Sequence, residues 1–149
     1  MDTHVPVAGP SDYLPRLDHI GILVRDLDAA ITQWTNRFDV EVARTFSAPA
    51  MNIASVFLNT AGAEIELYTV EDSVALDDAL GDATSKLDHI ALRLHRADGP
   101  ELVGCDIRGP GRRDPIAAPI TIGESTHVWT EPPGIDVLLQ LIRPGAQGR

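Results

Sequence analysis

Four residues carry the most chemistry in this chain: His19, Glu66, His89 and Gln140. Neutral imidazole and carboxylate donate lone pairs, and an amide oxygen adds a donor without adding charge. Such a mixed nitrogen and oxygen set suits a divalent first-row metal, with Co, Ni, Mn, Zn and Fe(II) all compatible and water completing the shell. A repeat singles out the histidines. Leu17-Asp18-His19-Ile20-Gly21-Ile22 returns as Leu87-Asp88-His89-Ile90-Ala91-Leu92, seventy residues later. Either histidine alone reads as a strand-initial residue bonded to neighbouring backbone; two at equivalent repeat positions favour a shared ligand role. Glu66 also fits a solvated strand face, together with Glu64. Gln140 interrupts Val137-Leu138-Leu139-Gln140-Leu141-Ile142. A polar group in an apolar strand needs a partner, and a core hydrogen bond serves as well as a metal does.

The elements that must position these residues follow from the repeat, because an internal repeat dictates architecture. In the first half, 17–24 is an aliphatic run of strand length and 26–38 is helical, with Leu27, Ala30, Ile31, Trp34 and Phe38 on one face and Asp26 as N-cap. Strands are predicted over 40–46, 52–58 and 63–70, giving the order βαβββ. The second half shortens the pattern: a strand over 87–94, a brief helix near 99–103, then strands near 105–108, 126–130 and 135–142. An acidic connector spans 71–86, with a helical turn or two around 73–80, and 108–119 reads as a loop. The predicted class is therefore α+β: two βαβββ modules, 17–70 and 87–143, within one domain over 17–143, flanked by tails at 1–16 and 144–149.

Alternation along each strand decides which side chains share a surface. His19 and Gly21 oppose Ile20, Ile22 and Val24; His89, Ala91 and Arg93 oppose Ile90, Leu92 and Leu94. Glu64, Glu66 and Tyr68 share one face, as do Asp136, Leu138 and Gln140. With two sheets curved toward each other, these polar groups meet in a cleft. Glu66 is the first candidate for a base that removes a proton beside a carbonyl, and Glu64, roughly 7 Å along the strand, the second. Glu64 fits a solvated rim equally well. Arg93 reads as an anchor for a carboxylate or phosphate, or as a surface salt bridge. His127 and Trp129 alternate along their strand toward the pocket wall, with core packing the stronger expectation for Trp129.

Bulk composition narrows the partners. The 149 residues carry a formal charge of −10, which argues against nucleic acid and against anionic membrane surfaces, both of which need clustered Lys and Arg. No apolar stretch approaches the roughly 20 residues that span a bilayer, and 1–15 has neither a basic start nor an apolar run. A cytoplasmic protein acting on a small-molecule substrate is expected. The single Cys105 excludes an internal disulfide.

These motifs are similar to those of the vicinal oxygen chelate superfamily, which includes glyoxalase I, methylmalonyl-CoA epimerase, fosfomycin-modifying enzymes and extradiol dioxygenases. The resemblance runs over 17–143, through the strand and helix start at 17–30, Ala63-Glu64-Ile65-Glu66-Leu67, the second Leu-Asp-His-Ile and the terminal Leu138-Leu139-Gln140-Leu141-Ile142. It implies paired βαβββ modules forming a U-shaped mixed-sheet cleft, with His19, Glu66, His89 and Gln140 as metal ligands. It also implies a homodimer. The opening motif and Glu71-Asp72-Ser73 look most like methylmalonyl-CoA epimerases, hence a metal-dependent isomerase or epimerase forming an enolate from a 2-substituted acyl thioester or related α-carbonyl compound. The chain departs from that group in two ways. Glu66 and Gln140 stand where Gln and Glu are usual, and no carboxylate lies between Thr45 and Thr60, where the group carries an acid/base Glu. A glyoxalase I-type lyase or fosfomycin-type thiol transferase is the enzymatic alternative. A bleomycin-resistance-like binding protein is the non-enzymatic one, disfavoured by the histidine pair.

Overall fold

A computed structural model of the chain describes residues 14–96, 105–108 and 119–145. The first half runs β1 (Arg16–Val24), α1 (Leu27–Phe38), β2 (Val42–Ala48), a 3-10 turn (Pro49–Met51), β3 (Ile53–Leu58) and β4 (Glu64–Val70). The connector contributes α2 (Ser73–Leu80), and the second half runs β5 (Ser85–Arg93), β6 (Ile120–Ile122), β7 (Ser125–Thr130) and β8 (Leu138–Pro144). All eight strands form one curled sheet in the order β2-β3-β4-β1-β5-β8-β7-β6, the α+β architecture expected. The order is symmetric about its centre. β1 and β5 pair antiparallel, and each is flanked by the last strand of its own half, running parallel to it.

Both helices start on aspartate caps. Asp26 accepts a hydrogen bond from the Ala29 amide at 3.0 Å, and Asp72 accepts from Val74 and Ala75 at 3.0 and 3.1 Å. The apolar stripe of α1, Leu27, Ala30, Ile31 and Trp34, packs on Val24, Val56, Leu58 and Leu67 of the sheet. Phe38, predicted to join that stripe, is instead 62% exposed, its ring tilted against Trp34 at the helix end. It lies one turn beyond Trp34, the last residue of α1 packed on the sheet among the described residues. Helix α2 buries Leu76 and Leu80 against Leu23, Ile53 and Tyr68, while Arg25 ties the end of β1 to the Asp77 carboxylate and the Gly81 carbonyl.

Two strand expectations are corrected. Residues 105–108 form no strand and make only one bridge, Arg108 to Trp129; the strand beside β7 is Ile120–Ile122, whose β-branched residues hairpin through Gly123 at φ +60. β8 begins at Leu138 rather than 135, because the turn at Pro133-Gly134 occupies the preceding residues, so Asp136 lies outside the strand and does not share Gln140's face. The helix expected near 99–103, residues 109–118 of the predicted loop, and most of both tails lie outside the described residues.

Candidate metal centre

The four central strands, β4-β1-β5-β8, set the ligand geometry through their register. Gly21 on β1 stands between Glu66 on β4 and His89 on β5; Ala91 on β5 stands between His19 on β1 and Gln140 on β8. Two adjacent cross-strand rows thus hold a large polar side chain on either side of the smallest residue available. A Cβ on Gly21 would overlap the His89 imidazole, so glycine here makes room for the ring rather than for a turn.

A second device lies in the same strand pair. The antiparallel register of β1 and β5 slips by one residue at Asp18 and again at Asp88, each an extra residue immediately before a histidine. Strict alternation would send each aspartate to the face opposite its histidine. At these bulges each aspartate reaches the ring of its neighbour instead: Asp18 Oδ2 lies 2.7 Å from His19 Nδ1, and Asp88 Oδ2 lies 2.8 Å from His89 Nδ1. With Nδ1 held by a carboxylate, each ring turns its Nε2 inward.

Those two nitrogens are 3.3 Å apart. His19 Nε2 is also 3.1 Å from Gln140 Oε1 and 3.6 Å from Glu66 Oε2, and His89 Nε2 is 3.9 Å from Glu66 Oε1. His19, Glu66 and His89 form the one potential metal-holding group among the described residues, their donor atoms within 4.8 Å of one another. His19, His89 and Gln140 are buried. Four groups able to offer a lone pair therefore converge, an arrangement that can hold a metal ion. Metal bonds of about 2.0–2.1 Å at tetrahedral or octahedral angles put neighbouring donors roughly 3–3.4 Å apart, close to the spacing found. The donor set fits a divalent ion.

Charges follow the same plan. The hydrogen bond from His19 holds the Asp18 carboxyl down at about 2, against partial burial and with help from Arg93. Burial pushes Asp88 up, but its bond and attraction to His89 and a hydrogen bond from Tyr68 outweigh this, leaving it low. Burial raises Glu66, opposed by the imidazoles, and so makes it a better proton acceptor than a solvated glutamate. His127 is brought down to about 4, chiefly by burial and then by Arg93 and His19.

The centre forms the floor of a cavity walled by Phe46, Ile53, Phe57, Ile122, Trp129 and Ile142, with Arg44, Arg93, Tyr68 and His127 also lining it. His127, Trp129 and Tyr68 thus stand where alternation placed them, and Trp129 and Tyr68 are buried as well. Arg93 lines the cavity but is already held by Asp18, at 3.0 and 3.1 Å. Glu64 does not line it: both its oxygens take Arg44 Nη1, at 2.6 and 2.7 Å. Among the described residues, Asp18 and Glu66 are the carboxylates of the cavity. Sequence reasoning missed Asp18, Asp88 and Arg44, whose guanidinium covers the Phe57 ring at 4.0 Å. The aspartates did carry a signal, since both copies of the repeat read Asp-His.

The chain belongs to the Glyoxalase/Bleomycin resistance protein/Dioxygenase superfamily, which its residues 18–100 match. Solved structures share the fold. Methylmalonyl-CoA epimerase from Mycobacterium tuberculosis is 21% identical with a TM-score of 0.68, over 87% of this chain and 88% of that one. A hypothetical protein from Bacillus halodurans is 15% identical with a TM-score of 0.69, over 91% and 98%. A single-residue variant of Streptomyces coelicolor methylmalonyl-CoA epimerase, in complex with 2-nitronate-propionyl-CoA, is 24% identical with a TM-score of 0.63, over 90% and 99%. No curated protein matches the chain.

Proposed function

We propose that the chain is a divalent-metal-dependent enzyme that forms an enolate from a small α-carbonyl substrate, with 2-substituted acyl thioesters such as methylmalonyl-CoA as the substrate class. The observation that carries this reading is the convergence of His19 Nε2, His89 Nε2, Gln140 Oε1 and the Glu66 carboxylate on one buried point at the cavity floor. These four residues hold the ion, whose chemistry when bound is to polarise the substrate carbonyl as a Lewis acid. Glu66, the carboxylate at the cavity floor beside both imidazoles, accepts the α-proton and returns it. The apolar wall keeps water from the exposed carbanion face, and Tyr68, His127, Trp129 and Arg93 contact the substrate. A homodimer of domains spanning 17–143 belongs to the same reading and is checked by sedimentation.

The test is wash-in of solvent deuterium at the α-carbon of methylmalonyl-CoA and other acyl thioesters, with Co or Mn supplied. Exchange that disappears in Glu66→Gln supports the reading; absence of exchange from every thioester in the presence of tightly bound metal sinks it. One observation favours a second reading. Epimerisation by two bases needs a proton acceptor on each face of the enolate; among the described residues the other carboxylate of the cavity is Asp18, which His19 and Arg93 already engage, and the cavity residues of β2 and β3 (Arg44, Thr45, Phe46, Ile53, Ser55 and Phe57) include no carboxylate. One-base chemistry of the glyoxalase I type fits this arrangement, and turnover of a glutathione hemithioacetal without thioester exchange would select it.

A further inference from the structure

Gln140 can present either end of its amide to the centre, and only the oxygen can bind a cation. Its Nε2 lies 2.8 Å from His127 Nδ1, while its Oε1 faces His19 Nε2 at 3.1 Å. An amide nitrogen donates and does not accept, so this arrangement requires His127 Nδ1 to be the unprotonated nitrogen of a neutral ring. The surroundings favour that ring. It is half-buried and stacks on Trp129, with centroids 6.0 Å apart and planes 25° from parallel, which fixes Nδ1 toward the Gln140 amide. The register supports the contact: Trp129 on β7 pairs with Gln140 on β8, and His127 lies two residues back on the same face.

We propose that His127 is a positioning residue that locks the Gln140 amide with its oxygen toward the metal site. The inference rests on the metal-centre reading above. Without the lock the amide is free to rotate by half a turn and donate its NH2 to the His19 lone pair, which removes one ligand and consumes a second. The eighth-strand position thereby becomes a competent oxygen donor without being an acid. Gln140 supplies the donor atom; His127 decides which atom it is.

The lock is tested by cobalt titration of the full chain, read by calorimetry and by the visible absorption of Co(II). His127→Leu removes the acceptor; His127→Asn keeps it, because Asn Oδ1 replaces Nδ1. The expected result is cobalt affinity lowered about tenfold or more in His127→Leu, with a changed spectrum, and held within about threefold in His127→Asn. In a Gln140→Glu background both terminal atoms are oxygen and orientation no longer matters, so His127→Leu should then cost less than about threefold. Wild-type affinity and spectrum in His127→Leu overturn the inference, as does an equal loss in His127→Asn or a loss that persists undiminished beside Gln140→Glu. If the unsubstituted chain binds no cobalt, the metal reading falls and this inference with it; if it binds and His127→Leu matches it, the inference falls alone.

Discussion

Each imidazole at the centre is held by the residue that precedes it. Asp18 and Asp88 each lie against the Nδ1 of the following histidine, which favours the tautomer whose Nε2 can donate to a cation. Losing such an orienting carboxylate typically lowers metal affinity 10–100-fold. Asp88→Ala should therefore weaken cobalt binding by about that range with all four ligands intact, as measured by competition against a chromophoric chelator. Asp18→Ala should do the same and in addition release Arg93, which Asp18 now pins at 3.0 Å; its effect on substrate binding should then differ in sign from its effect on metal. Unchanged cobalt affinity in both variants would mean that the rings hold their tautomers without help.

At the scale of the elements, periodicity and the repeat placed His19, Glu66, His89 and Gln140 on strand faces, and the register of β4, β1, β5 and β8 brings those four side chains together. The bulges were not legible. Alternation assumes one residue per step, and a single inserted residue at Asp18 or Asp88 leaves no mark in composition or hydrophobic pattern. Helix α2 was foreseeable from its cap and its Leu76 and Leu80 spacing, whereas β6 has three residues and too little pattern to stand out. Glu64 was placed on the correct face, but its partner Arg44 comes from β2, two strands away, and no local pattern reports that pairing. Gly21 offers the sharpest test of the register. Gly21→Ala keeps the strand but drives a methyl into the His89 ring, so metal binding should fall sharply while the far-ultraviolet circular dichroism keeps its native form. Leu58, fully buried between the sheet and α1, tests the opposite coupling: Leu58→Ala should cost about 2–5 kcal/mol in denaturant unfolding and leave cobalt affinity of the folded protein unchanged.

Across the whole molecule, the two halves are joined both by a strand pair and by the candidate centre. The β1·β5 ladder joins them through backbone hydrogen bonds, and the candidate centre joins them again, taking His19 and Glu66 from the first half and His89 and Gln140 from the second. The ladder needs no metal, so the metal-free chain should fold. Much of the acidic charge lies away from the centre, on the connector and α2 with Glu71, Asp72, Asp77, Asp78 and Asp82, where a cation would be attracted without joining the two halves. A cation bound only by the assembled halves stabilises the fold by mass action, about 2.7 kcal/mol at a hundredfold excess over its dissociation constant. For a chain of this length that corresponds to a rise in melting temperature of roughly 5–10 °C. Added cobalt should therefore raise the wild-type melting temperature by that amount, a chelator should return it to the metal-free value, and the His19→Ala, His89→Ala double variant should show no response to either. A double variant that gains as much as the wild type would place the stabilising ion elsewhere on the acidic surface and leave the junction of the two halves without a metal bridge.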